Sequence, residues 1–436
     1  MSKINTQIQI GSWLLPNRVV FQPMEGCDGT EAGAVGELTR RRYLRFAGSG
    51  AAVIWFEAVS VRTEGRANPR QLYLCGDTAD SFRALLEEMR EKALAETGIV
   101  PKIIAQLTHS GRFAKPNGTP EPLVAYRNPH WERGRENQPY VIVSDNYCAK
   151  VVDSYAKAAK LASQAGFDGI DVKCCHGYLL NEFLSAYERP GSYGGCFGNR
   201  ARLFFDCLEA ARQSIPADVL LTTRLNACDG FPYPYGYGVA GMPPLADRAS
   251  ASMEGKVKSP RLNESEKSIL NEIDLSECKE ILRVLRERFA MPLVNITLGN
   301  PYLIPHVNRP ARNLPEEPEV GMERIRAVMK ELQGAFPALP LAASGLSYPG
   351  AEAVDYADSL LEEGAAALAG FGRLTFAYPG FYRDYRANGS LDRRKTCLAC
   401  GKCTELMRAG SVTGCPVRDA EVYLPLYRKY VVNREV

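Results

Sequence analysis

At 436 residues, 45% hydrophobic and 24% charged, the chain has the composition of a globular enzyme and the length for one large core plus an appendage. A net charge of +3 makes no field that would argue for nucleic acid as a partner. No stretch is long and apolar enough for a membrane span or a signal h-region, so a cytoplasmic protein is expected.

Short apolar runs alternate with helical patterns along the chain. In order, the candidate strands are residues 18–23, 51–61, 102–109, 169–173, 219–225, 292–297, 339–344 and 365–370. Between them, Asp77 and Thr78 precede a helical pattern that ends at Gly98, and Ser144 precedes one that ends at Gly166. In the second, Val151, Tyr155, Ala158 and Ala162 share one face. Eight strands that are apolar throughout rather than alternating argue for parallel strands covered on the outside, hence an α/β fold of the TIM (β/α)8 barrel type. Residues 1–390 are read as the barrel and 391–436 as a cysteine-rich C-terminal segment. Such a barrel keeps its chemistry at the C-terminal strand ends.

Two long insertions, 227–268 and 299–318, are too rich in Gly and Pro for helices and are expected to lie over the barrel mouth. Gly236, Gly238 and Gly241 in the first match G-x-G-x-x-G formally. They neither leave a strand smoothly nor open a helix, so they are not read as a dinucleotide fingerprint.

Residues 166–195, GFDGIDVKCCHGYLLNEFLSAYERPGSYGG, pass from a buried strand to a lysine, two cysteines, a histidine and a tyrosine within a few positions. Together with NRVVFQPM, IIAQLTHSGR, TTRLN, ASG and GFGR, in that chain order, this stretch resembles the Old Yellow Enzyme family of flavin-dependent barrels. The resemblance is closest to the family's iron-sulfur branch, which includes dienoyl-CoA reductases and trimethylamine dehydrogenase. It implies an FMN-dependent ene-reductase. Reduced flavin gives hydride to the β-carbon of an α,β-unsaturated carbonyl compound, two donors hold the carbonyl oxygen, and a third group protonates the α-carbon.

Carried onto this sequence, the resemblance assigns Gln106 and Arg224 to the flavin edge, with backbone from Pro23, Met24 and Ala58. It assigns Ser344, Gly345, Gly372 and Arg373 to the phosphate, at the anion site after strands seven and eight. A cation at that edge stabilises the reduced, anionic flavin, and Arg224 lies within an apolar strand, where a solvated arginine is out of place. His176 matches the second carbonyl donor and Tyr178 the proton donor. Losing one fixed donor at a developing oxyanion typically costs about 2.7–4 kcal/mol.

Two positions depart from the family. Lys173 stands where most relatives have His, replacing a directional neutral donor by a flexible cation. Glu25 stands where many relatives have Thr or Cys beside the flavin, and its carboxylate would oppose flavin reduction unless protonated or paired, so a shifted pKa or a nearby arginine is expected. Cys174 and Cys175 are read as small buried hydrophobes. Tyr302 and His306, in the second mouth insertion, are the candidate substrate contacts.

Thirteen cysteines in a chain of this size read as thiols or metal ligands rather than a disulfide scaffold. Cys397, Cys400, Cys403 and Cys415 follow a C-x2-C-x2-C-x11-C spacing with Pro after the last. Such thiolates can wrap a 4Fe-4S cluster, whereas zinc more often takes two separated C-x2-C pairs. The cluster is favoured, and the iron-sulfur relatives hold one in this region close to the flavin. Those relatives continue into domains for a second nucleotide cofactor, whereas 21 residues follow Cys415 here (436 minus 415). Electrons are therefore expected from a donor protein through the cluster, or from NAD(P)H directly.

Two alternatives stay open. An amine dehydrogenase would use Tyr233, Tyr235 and Tyr237 as an aromatic bowl, although Lys173 would repel a cationic substrate. A non-catalytic flavin electron-transfer subunit would have no use for a proton donor. A homo-oligomer is one arrangement left open, and composition is silent on it.

Overall fold

The computed structural model describes residues 2–132, 137–239, 273–312 and 314–433. Eight strands form a closed barrel: β1 (Val19–Phe21), β2 (Val53–Ser60), β3 (Lys102–Thr108), β4 (Gly169–Val172), β5 (Leu220–Asn226), β6 (Val294–Thr297), β7 (Leu341–Ala343) and β8 (Leu368–Phe371). Each strand pairs in parallel with the next, and β8 pairs with β1. This is the TIM (β/α)8 barrel that the alternating patterns predict. The strands are buried almost throughout, because side chains fill the interior and helices cover the outside.

The helix signals act much as their chemistry requires. The helix Asp145–Ala165 starts where the Ser144 Oγ accepts the Tyr147 N–H at 3.1 Å and ends at Gly166 with φ 100°. Its buried face carries Val151, Tyr155, Ala158 and Ala162. A fully buried Val contributes about 1.5–3 kcal/mol relative to an exposed one. Gly98 ends the helix Ala79–Thr97 in the same left-handed way, but Thr78 at its start caps differently. Its hydroxyl serves the preceding turn, accepting the Cys75 N–H at 3.0 Å and donating to the Tyr73 carbonyl at 2.7 Å.

The sequence reading has no strand before residue 18, whereas the structure has a hairpin there, Ile8–Ile10 against Trp13–Leu15. Its Ile10, Trp13 and Leu15 pack on Val20, Trp55 and Ile104 and plug the lower end of the barrel. The open cavity lies at the other end. Near that end the register of β2 against β3 shifts between Trp55 and Ala58, and such irregularities re-aim side chains. Glu57, in the shifted stretch, reaches the loop after β1, where it accepts the Gly26 N–H at 2.9 Å and Arg42 Nη2 at 2.6 Å.

The C-terminal segment sits on this same mouth. The Thr413 N–H donates to the Gly26 carbonyl at 2.6 Å, Arg70 Nη2 to the Gly410 carbonyl at 2.9 Å, and Arg41 grips Asp419 with two bonds of 2.8 and 2.9 Å. Of the first insertion, residues 240–268, Gly241 among them, lie outside the described residues. Its beginning folds back on the end of β5. The Asp229 N–H donates to the Tyr237 carbonyl at 2.8 Å, Val239 bridges Ile273, and the Tyr126 hydroxyl donates to the Tyr235 carbonyl at 3.1 Å.

Candidate active site

Over the strand ends lies a cavity of about 150 Å³. Its floor is organised by Asp171, on β4. Gln106 Nε2 and Trp55 Nε1 each donate to Asp171 Oδ2 at 2.7 Å, and the Arg224 N–H donates to Oδ1 at 2.7 Å. Burial pushes the Asp171 carboxyl up to about 6, against these hydrogen bonds. Beside it Arg224 is 7% exposed, and its Nε has no hydrogen-bond partner among the described residues. A buried, unpartnered guanidinium N–H is costly unless a ligand accepts from it. The floor therefore fits a planar group with acceptors along one edge.

One wall is built by the turn after β4. His176 and Gly177 both have positive φ, 66° and 70°. A Cβ on Gly177 would come 2.3 Å from Asn300 Nδ2, which donates to the His176 carbonyl at 3.1 Å, so only glycine fits there. The strained His176 backbone is held by this bond. Its imidazole is held by Asn308, whose Nδ2 lies 3.0 Å from His176 Nε2 and donates to Thr297 Oγ1 at 2.8 Å. With Asn308 donating, Nε2 accepts and the ring proton sits on Nδ1. Burial and the cations Arg224, Lys173 and Arg309 push the His176 pKa well below its ordinary value, so the ring is a neutral donor.

Lys173 is 3% exposed, with Nζ 3.5 Å from the Tyr178 ring centroid and 3.9 Å from Glu25 Oε1. Burial lowers its pKa, opposed by Cys175 and Glu25. The Tyr178 hydroxyl donates to Glu25 Oε1 at 2.9 Å and lies 2.9 Å from the Tyr302 hydroxyl. Burial, with Glu25 and Tyr302, raises its pKa well above that of a free phenol. The partner of Glu25 is thus a lysine and a phenol, in place of the arginine of the sequence reading. Cys174 and Cys175 are fully buried.

The far side of the cavity is cationic. Gly345, Gly372 and Arg373 line it, Gly345 with φ 86°. Arg309 and Arg408 line it too and are absent from the sequence reading, because nothing in PHVNRPARN or ELMRAG marks them. Arg309 Nη1 donates to Thr404 Oγ1 at 2.8 Å, and burial and Arg373 push its pKa down. With Lys173 and Arg224 there are five cations around the cavity and one carboxylate, Glu25, among the described residues. This charge suits a phosphate-bearing ligand.

Pro23, Met24, Glu25, Gln106, Lys173, His176, Tyr178, Arg224 and Tyr302 all border the one cavity. Three of the residues inferred from the sequence do not. The Ala58 carbonyl accepts from Gln71 Nε2 at 3.0 Å. The Ser344 hydroxyl donates to the Ile296 carbonyl at 2.8 Å, and Ser347 borders the cavity instead. His306 belongs to the turn Pro305–Asn308, in which residues two apart face different ways, and Asn308 is the one that borders the cavity. Nor does Tyr233, Tyr235 or Tyr237 border it; Tyr237 is wholly buried elsewhere.

Cys397, Cys400, Cys403 and Cys415 line a second, smaller space, with Arg373 and Phe376 as the partition between it and the first. The Ala399 N–H points to Cys397 Sγ at 3.4 Å and the Arg418 N–H to Cys415 Sγ at 3.3 Å. Such N–H groups suit thiolate sulfurs that hold a cluster. No three His, Cys, Asp or Glu side chains among the described residues are close enough to bind a single metal ion as they stand.

The family model described as NADH:flavin oxidoreductase / NADH oxidase matches residues 3–233. An NADPH dehydrogenase of Clostridium acetobutylicum is 30% identical over 231 residues, which is 52% of this chain and 65% of that relative, so the match spans less than two thirds of its length. Among solved structures, a 2-naphthoyl-CoA reductase complexed with 2-naphthoyl-CoA has a TM-score of 0.71 at 18% identity, covering 95% of this chain and 57% of that one. An old yellow enzyme homologue from Zymomonas mobilis has a TM-score of 0.60 at 17% identity, covering 90% and 94%.

Proposed function

Because the chain belongs to the NADH:flavin oxidoreductase / NADH oxidase family, the Old Yellow Enzyme barrels, we propose that it is an FMN-dependent ene-reductase of that family's iron-sulfur branch, acting on an α,β-unsaturated carbonyl compound. The observation that carries this reading is the convergence of Lys173, His176 and Tyr178 on a cavity whose floor offers Gln106 and the unpartnered Arg224 Nε. FMN, when bound, supplies the hydride that goes to the β-carbon.

The chain does the rest. Gln106 and Arg224 hold the pyrimidine edge, with Asp171 fixing both. Arg373, Arg309 and Arg408 hold the phosphate. Neutral His176 and the Lys173 ammonium donate to the carbonyl oxygen as it gains charge, where donors fixed in advance are worth most. The Tyr178 hydroxyl gives its proton to the α-carbon. The four thiolates at Cys397, Cys400, Cys403 and Cys415 hold a 4Fe-4S cluster behind the Arg373 and Phe376 partition, as an inlet for electrons from a donor protein. NAD(P)H is the rival source. An amine dehydrogenase is disfavoured, because five cations repel a methylated ammonium.

The test is anaerobic mixing of the dithionite-reduced holoprotein with 2-cyclohexenone. Reoxidation of the flavin is expected, and Tyr178→Phe should slow it about 100-fold while keeping FMN bound. Failure of the wild type to reoxidise with any enone overturns the reading.

A further inference from the structure

Glu25 borders two spaces. It lines the cavity over the strand ends and also an adjoining open cleft walled by Asn68, Arg70, Phe113, Lys115, Gly410 and Ser411. Its side chain is 16% exposed, whereas Tyr178, which it joins at 2.9 Å, is 2% exposed. On the cleft side the phenol's hydrogen-bond partners are Glu25 and Tyr302, and Tyr302 also borders both spaces and is stacked at 3.8 Å on Phe113.

We propose that Glu25 is a proton relay that recharges Tyr178 from water in the cleft; this rests on the ene-reductase reading. In each turnover the Tyr178 O–H bond breaks, and its proton joins the α-carbon, using the electron pair displaced when hydride from reduced flavin adds to the β-carbon. The Glu25 carboxylate then takes a proton from water on the cleft side and passes it to the phenolate, which restores the Tyr178 O–H and the carboxylate, and the hydroxide left behind exits through the cleft. One solvent proton is consumed for each hydride delivered. Lys173, 3.9 Å from the carboxylate and 3.5 Å from the ring, steadies the negative charge at either end of the transfer. The charged and titratable groups facing Glu25 are Lys173 and Cys175 after β4, Tyr178, Tyr302, Cys27 on its own loop, and Arg408 from the C-terminal segment. A carboxylate with a purely structural role would need no open side.

The experiment is steady-state reduction of 2-cyclohexenone by the FMN-loaded holoprotein with dithionite as reductant. In wild type, turnover should not depend on imidazolium concentration, because Glu25 delivers the proton from cleft water. Glu25→Gln should turn over at least about tenfold more slowly. Its rate should fall steadily from about pH 6 to about pH 9 and rise with imidazolium concentration, as a small acid in the cleft takes over the relay. Glu25→Asp should restore turnover that does not depend on the buffer. A wild-type rate that rises with imidazolium, or a Glu25→Gln protein with wild-type rate, pH profile and buffer independence, overturns the relay while leaving the ene-reductase reading intact. Wild-type protein that reduces no enone overturns both. If Glu25→Gln loses FMN, the wild-type buffer independence and the Glu25→Asp profile decide.

Discussion

Asp171 is the acid on which the cavity floor is built, receiving bonds from Gln106, Trp55 and the Arg224 backbone. Asp171→Asn would turn an N–H toward one of these donors. Losing a buried hydrogen bond of this kind costs about 1–3 kcal/mol. FMN affinity should drop about tenfold in a fluorescence titration, with the barrel still folded. The same residue makes a pH prediction. Its folded pKa of about 6 stands above the ordinary 3.8, so its stabilising contribution is fully present below 3.8 and is lost as pH rises through about 6. Between those limits wild-type stability should fall by up to roughly 3 kcal/mol more than that of Asp171→Asn, read from paired urea melts. Asp171 lies inside the quoted strand GIDVK, yet only the closed barrel reveals that its side chain points inward. A buried acid in a parallel strand is the signal that would have found it.

At the level of elements, the helix Glu37–Ala47 does more than cover the barrel. Its Arg42 reaches Asp28 at 2.8 Å and Glu57 at 2.6 Å, with all three side chains almost fully buried. Those bonds hold the loop from Met24 to Asp28, which carries Glu25 and receives Thr413 of the C-terminal segment. Removing the arginine leaves two buried carboxylates unpaired, which typically costs 3–5 kcal/mol. Arg42→Met should therefore lower stability by about 3–5 kcal/mol in denaturant melts. Nothing in ELTRRRYLRFA separates Arg42 from the arginines on either side of it. Helical geometry alone turns it inward while Arg40 stays at the surface.

At the level of the whole molecule, one face of the barrel carries both the cavity and the four cysteines, with Arg373, Phe376 and Cys403 bordering both spaces. Cys400→Ala is expected to remove iron and sulfide from the anaerobically purified protein while FMN stays bound; loss of FMN without loss of iron would contradict the assignment. Anaerobic stopped-flow with NADH and NADPH tests the electron source. Slow bleaching of the flavin by both is expected if a donor protein feeds the cluster, and fast bleaching by either removes the need for one.

What the sequence determined by itself is the barrel and the residue types at its mouth. Eight apolar runs with helical patterns between them have one good way to bury both faces, and the motifs at their ends carry the donors and the phenol. Tertiary structure decided which of these groups meet. Glu25 and Tyr178 are 153 residues apart and touch only because β1 and β4 end at one mouth. The crowding of Arg309, Arg373 and Arg408, the withdrawal of Ser344 and the choice of Asn308 over His306 depend on side-chain direction. A linear pattern cannot encode direction at turns, where no regular period relates one residue to the next.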